Sequence, residues 1–230
     1  KLREFQDAGD DAPFFLMCSF PDPHHPFTPP GRFWDLVKPE DVELPASFHE
    51  IDHTPQIEFI HAFSRSGIPA PHSHMPFAPS EREAREAIAL THGSMANIDT
   101  CIGKVLHALT QCGLADNTIL VFTSDHGDLM GDHGAMLKGP MHFRSLSHVP
   151  FIWVDPRTDQ VARRIAGMGS SLDIARTMLD VAGCAPAHGM QGESLLPILR
   201  GEGQKTERGC FIENESAQLL FGRPAPFKLR

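Results

Sequence analysis

The segment from Ser80 to Ser124 constrains the fold most tightly. Ser80-Glu81-Arg82-Glu83 has the form of a capping box, in which a Ser hydroxyl and a Glu carboxylate each accept the other's backbone N–H. Behind it, Ile88, Thr91, Met95, Ile98, Ile102, Val105 and Leu109 recur at alternating three- and four-residue steps, the spacing of one helix face. Cys112-Gly113 supplies the stop, because glycine takes the left-handed conformation at a helix end at little cost. A long helix with such a stripe needs an apolar surface to lie on. The run "NTILVFTS" (117–124) predicts a buried strand, and "APFFLMCSF" (12–20) and "VPFIWVDP" (149–156) predict two more. "SSLDIARTMLDVAGC" predicts a second amphipathic helix, capped by Ser170 or Ser171 and ended by Gly183. Strand, long helix, strand, strand, helix is the order of an α/β domain with a largely parallel sheet flanked by helices.

Between the first strand and Ser80 lie "PDPHHPFTPPGRF", "KPEDVELP" and "PAPHSHMPFAPS", and prolines at this density predict loop up to about Pro79. So long a loop in a compact domain is usually either functional or disordered. Near the other end, "CFIENESAQLLFG" predicts a strand or hairpin. The 230 residues suffice for one large domain. A formal net charge of −9 with no basic run argues against nucleic-acid binding. No apolar stretch approaches the ~20 residues of a membrane-spanning helix. The cysteines, Cys18, Cys101, Cys112, Cys184 and Cys210, are odd in number, widely spaced and without a Cys-x-x-Cys pair. They predict free, mostly buried thiols, which favours a cytoplasmic setting over an oxidising one.

In parallel sheets, ligands bind beyond the carboxyl ends of the strands. Two polar clusters occupy such positions here, "PDPHHP" after the first expected strand and "SDHG" after the second. Asp125 and His126 offer a hard oxygen and an imidazole nitrogen side by side, half of a divalent metal site. The competing reading is a strand-to-helix turn in which the Asp caps the next helix. Asp132-His133 repeats the pair, but its position favours a turn that brings Lys138 back toward the same place. Lys138 is a lone cation in "GAMLKGP" and a candidate clamp for an oxyanion. His24 and His25 sit between prolines that stiffen the loop.

Four ordered segments carry a family resemblance: "PFFLMCSFPDPHHPF", "NTILVFTSDHGDLMGDHGAMLKGP" with "VPFIW", "SLDIARTMLDVAGC", and Gly192-Glu193-Ser194-Leu195-Leu196-Pro197. Together they resemble the sulfatase branch of the alkaline-phosphatase-like superfamily over roughly residues 10 to 202. The resemblance implies that Asp125 and His126 ligate a divalent metal, most often Ca2+, with Mn2+ or Mg2+ as alternatives. It implies that Lys138 holds a sulfate oxygen and that His24 contacts the sulfate or the leaving oxygen, with His25 the second choice. A formylglycine hydrate made from Cys or Ser attacks sulfur in this family, and a histidine protonates the departing alcohol.

The family's Cys/Ser-x-Pro-x-Arg nucleophile segment does not occur in these residues. Cys184-Ala185-Pro186-Ala187-His188 lacks the arginine and follows a helix, so it reads as an ordinary loop. Asp10-Asp11 precedes its strand and so does not stand in for the family's first metal-binding Asp pair. The expectation is therefore a C-terminal portion of the catalytic domain over 1–205, with substrate-side loops at 31–79 and the start of a small subdomain at 206–230. Formylglycine is expected outside this chain, and the chain alone is expected not to turn over a small-molecule sulfate ester. A phosphonate monoester or phosphodiester hydrolase, and a non-catalytic domain of the same fold, are the alternatives.

Overall fold

The computed structural model describes residues 1–8, 12–50, 54–158, 162–202 and 209–212. The chain forms two compact units, one made of Lys1–Asp116 with His126–His148, the other of Asn117–Asp125 with Val149–Arg230. The expected hairpin at 210–222 and the Asp10-Asp11 pair lie wholly or mostly outside the described residues.

The first unit is built on two helices after a short α1 (Leu2–Ala8). The segment read as loop contains α2 (Pro55–Arg65), which Thr54 caps by accepting from the Ile57 N–H, with Pro55 at its first turn. Proline is favoured there because its missing N–H would have no intrahelical acceptor. Ile57 and Ile60 from α2 are buried against Leu129, Ala135, Met141 and Leu146. α3 (Glu81–Gln111) has the expected capping box, with Ser80 and Glu83 bonding reciprocally. It ends as expected too, with Gly113 at φ 68° and the Leu114 N–H reaching back to the Leu109 carbonyl.

The stripe on α3 needs correction. Its buried face is Ala84, Ile88, Ala89, Thr91, Gly93 and Ser94 with Leu109, while Met95 is exposed. Ile88 and Ala89 pack on Val42, Val37, Leu44 and Met130, which belong to loops rather than to a sheet. Small residues admit those loops: a Cβ on Gly93 would stand 2.2 Å from the Phe33 carbonyl oxygen. Alanine there requires the backbone to move.

In the second unit, β1 (Leu120–Thr123) pairs antiparallel with β2 (Phe151–Val154), Leu120 opposite Val154 and Thr123 opposite Phe151. This two-stranded ladder replaces the largely parallel sheet expected from the sequence as the named sheet among the described residues. The 124–150 connection holds only a 3-10 turn and the four-residue α4 (Arg144–Ser147), so it provides no helical crossover for a parallel pair. Residues 12–20 form no strand, and Phe15, Leu16 and Met17 are exposed. A strand is defined by its partner, and no described segment pairs with this one.

α5 (Ser171–Val181) follows the sequence closely, with Ser170 as its cap and Asp173 completing a capping box. Asp173 and Thr177 are buried, and each has a second task. The Asp173 carboxylate accepts from the Glu193 N–H at 2.8 Å, and the Thr177 hydroxyl accepts from the Leu195 N–H at 2.9 Å. They tie the 192–195 loop to α5 just ahead of the short α6 (Leu196–Leu199). The cysteines are free, as expected, but Cys112 alone among them is buried, and Cys18 and Cys184 are exposed. Among the described residues, no helix is long and apolar enough to cross a membrane.

Candidate functional site

The loop after His126 is folded by its own backbone. Leu129 N–H bonds to the Leu137 carbonyl and Gly131 N–H to the Ala135 carbonyl, each at 2.9 Å. The loop thus closes on itself, and Met136 bonds sideways to the Phe77 carbonyl. Leu129, Ala135, Met136 and Leu137 are buried and hold it in place. Tight closure forces Met130, His133 and Leu137 to positive φ of 46°, 53° and 68°, beside Gly131 at 93° and Gly134 at 65°. Left-handed backbone is costly for residues other than glycine, so burial and hydrogen bonds must hold these three in place.

The two Asp-His pairs separate at this level. Asp132 accepts from the Ser47 hydroxyl, and the same Ser47 oxygen accepts the His133 N–H at 3.1 Å. His133 Nδ1 lies 2.7 Å from a Glu50 carboxylate oxygen, and its ring lies 4.3 Å from that of Phe143. The His133 carbonyl accepts from His61 Nε2 at 3.0 Å. This pair fastens the loop to the 46–50 turn and to α2.

The neck of the loop sets the chemistry. Pairing Leu129 with Leu137 places the residues just outside them, Asp128 and Lys138, together, with ammonium and carboxylate 3.9 Å apart and both largely buried. Burial raises the Asp128 pKa above its usual value. The Met130 N–H, the Lys138 charge, the Leu137 N–H and His126 oppose that rise. Asp128 is not singled out in the sequence, because its place opposite Lys138 depends on how the loop closes.

Lys138 also acts on the histidine loop. His25 is held below the ordinary histidine range, first by burial and then by the positive charges of His24, Lys138 and His74. His24 stacks on His25 at 4.1 Å, and His24 Nδ1 is 2.6 Å from the His25 carbonyl oxygen. A carbonyl only accepts, so Nδ1 carries the hydrogen and the His24 lone pair lies on Nε2. His25 Nε2 is 3.1 Å from Nδ1 of His74, a loop histidine that the sequence does not single out. Nothing in its His-Ser-His-Met string distinguished it.

His126 Nδ1 is 2.8 Å from the Gly127 carbonyl, which by the same logic leaves the lone pair on Nε2. Gly127 itself is spoken for structurally: its N–H bonds to the Leu146 carbonyl, and an added Cβ would fall 1.9 Å from the Ser145 oxygen. Asp125 ends the β1 segment of the second unit and is exposed, with the Ser124 hydroxyl 3.3 Å from its Oδ1. Of the five residues singled out from the sequence, His24, His25 and Lys138 thus interact within the first unit. His126 acts there on Asp128, and Asp125 is next to His126 in the chain.

Comparison with known proteins gives this arrangement its context. The chain is 30% identical over 213 residues to the "Multifunctional alkaline phosphatase superfamily protein PehA" of Trinickia caryophylli, covering 86% of this chain and 39% of that protein. It is 32% identical over 193 residues to an arylsulfatase of Clostridium perfringens, covering 81% of this chain and 37% of the other. The chain thus spans about two-fifths of the length of these relatives. Among solved structures, it matches the phosphonate monoester hydrolase of Agrobacterium radiobacter with a TM-score of 0.73 and 26% identity, over 96% of this chain and 47% of that one. The fold is the α/β, alkaline-phosphatase-like fold of these hydrolases. The Sulfatase family model matches residues 1–184. The chain belongs to the sulfatase family.

Proposed function

We propose that the protein to which this chain belongs hydrolyses a sulfate monoester, and that this chain supplies the cationic half of the site. The observation that carries the reading is the Asp128–Lys138 neck, which fixes a lysine whose charge is felt at His25. A fixed ammonium beside a pair of imidazoles suits an anionic ester whose charge grows on its oxygens during cleavage. Lys138 binds one such oxygen. Asp128 holds the lysine in place and, being acidic itself, keeps the pocket from becoming strongly positive when no substrate is bound. His24, with Nδ1–H tied to the His25 carbonyl, presents Nε2 as the nitrogen that passes a proton to the departing alcohol.

Asp125 and His126 would hold a divalent cation, Ca2+ first and Mn2+ or Mg2+ as alternatives. The donor set fits, because a carboxylate oxygen is a hard ligand and the His126 tautomer directs a lone pair away from its own backbone. Such an ion, when bound, polarises the ester oxygens. The nucleophile is formylglycine supplied by residues outside these 230, and the chain alone is inactive.

In the full-length enzyme, Lys138→Ala is expected to lower kcat/KM for an aryl sulfate by about 10² to 10³. Chelation is expected to abolish turnover, with recovery on adding back Ca2+. Unchanged turnover in the Lys138 variant would overturn the reading. A second reading, phosphonate monoester hydrolysis, is supported by the similarity to the Agrobacterium hydrolase. The ratio of kcat/KM for a phenyl sulfate and a phenyl phosphonate, measured on the same preparation, decides between them.

A further inference from the structure

We infer that His24, His25 and His74 form a second metal site, for a borderline transition-metal ion of the zinc class, and that filling it inhibits the enzyme. The three imidazoles each place one ring nitrogen within 4.8 Å of the other two. The His25 Nε2 to His74 Nδ1 separation is 3.1 Å. A tetrahedral zinc ion with bonds of about 2.0–2.1 Å sets its ligand nitrogens about 3.3–3.4 Å apart, so this pair already stands near ligand spacing. The His24 and His25 rings stack with centroids 4.1 Å apart, which keeps the two imidazoles side by side.

The protonation states suit a metal as well as the spacing does. The His25 carbonyl fixes the hydrogen of His24 on Nδ1, leaving Nε2 to donate its lone pair, which is the usual arrangement behind a metal-bound histidine. His25 turns Nε2 toward His74 Nδ1. Its Nδ1 is buried without a hydrogen-bond partner, so the contact with His74 is the polar anchor of the ring. The donor set is three nitrogens and no carboxylate. That combination selects zinc, copper or nickel over calcium or magnesium, and so differs in kind from the Asp125–His126 pair. Three protein ligands leave one coordination position for water.

The inhibitory part rests on the function proposed above for His24. A metal on Nε2 removes the nitrogen that delivers the proton. The binding part stands apart from that function and is measured without turnover.

The test uses the full-length protein saturated with Ca2+. Zn2+ affinity is read by competition with a chromophoric chelator, and Co2+ is added as a spectroscopic probe of a tetrahedral nitrogen site. The expected result is a Zn2+ site in the wild type that weakens by roughly 100-fold or more in His74→Ala. His74→Cys, which restores a ligand of suitable softness, is expected to recover binding and shift the Co2+ spectrum toward sulfur ligation. Equal Zn2+ affinity in the wild type and a folded His74→Ala overturns the site, as does failure of the cysteine variant to recover binding. For inhibition, the ratio of rates with and without Zn2+ is compared within each variant. Zn2+ is expected to lower the wild-type rate and to leave the His74→Ala rate unchanged, and equal inhibition of both overturns the regulatory role. If no ester of either class is turned over, the proposed function fails while the affinity comparison still decides the metal site.

Discussion

His126 and His133 occur in the same Asp-His-Gly string, and their surroundings give them different work. His133 has a carboxylate at one nitrogen, an aromatic ring at its side and left-handed backbone beneath it. His126 is exposed and has its Nδ1 turned to the adjoining carbonyl. A string of letters does not encode that difference, because it is made by Ser47 and Glu50 more than eighty residues upstream. A different residue, Asp155, carries a testable pH dependence. Its carboxylate accepts from the backbone N–H, Nε and Nη2 of Arg157 at 3.0, 2.8 and 2.8 Å. The Arg157 side-chain bonds chiefly hold its pKa below the ordinary 3.8, against the opposing effect of burial. A depressed carboxylate stabilises the fold above its unfolded pKa, and that contribution is lost as pH falls through the folded value. Asp155→Asn is therefore expected to cost about 1–2 kcal/mol above pH 3.8 and progressively less below it, read from urea midpoints across pH. A difference that is constant with pH would show that the charge is irrelevant.

At the scale of elements, the sequence was legible wherever a local rule acts alone. The capping boxes of α3 and α5 and the glycine stops after them are contacts within a few residues, and each is present as read. α2 was equally readable, from Thr54-Pro55 and the Ile57/Ile60 spacing, but the surrounding prolines masked it. The strands were not legible in the same way, because pairing depends on a remote partner. Apolar residues at 12–20 announce a strand without providing its neighbour, and β1 and β2 announce strands without stating their direction. The α5–loop junction is also nonlocal, and its strength is measurable. Thr177→Val keeps the shape but leaves the buried Leu195 N–H without its acceptor. The expected cost is about 1–3 kcal/mol in urea unfolding, with Thr177→Ser recovering most of it. If valine is neutral, the hydroxyl does not hold the 192–195 loop.

For the molecule as a whole, order is distributed unevenly. α3 has 31 residues, a reciprocal cap at one end, and a glycine stop at the other. β1 and β2 form a two-stranded ladder of four residues each, with Phe122, Phe151, Ile152 and Val154 exposed. Two strands alone are marginally stable in water. Amide exchange on this chain is expected to find the middle of α3 among the slowest segments and 120–123 with 151–154 among the fast ones. Equal protection of the two would contradict the picture. The candidate site was legible in its parts and not in its assembly: His24, His25, Asp125, His126 and Lys138 stand out by residue type, but Asp128 and His74 emerge only from loop closure and ring contacts.

The self-closing loop between Leu129 and Leu137 has a consequence for selection experiments. In a saturation library of the full-length gene, the two Asp-His doublets should move different phenotypes. Substitutions at Asp132 and His133 unfasten the loop from Ser47 and Glu50, so they are expected to lower soluble yield, with surviving protein retaining its specific activity. On the function proposed above, substitutions at Asp125 and His126 are expected to leave yield near wild type and remove turnover. A screen that scores activity alone would rank the doublets as equals, whereas scoring abundance and activity together would set the anchor apart from the site.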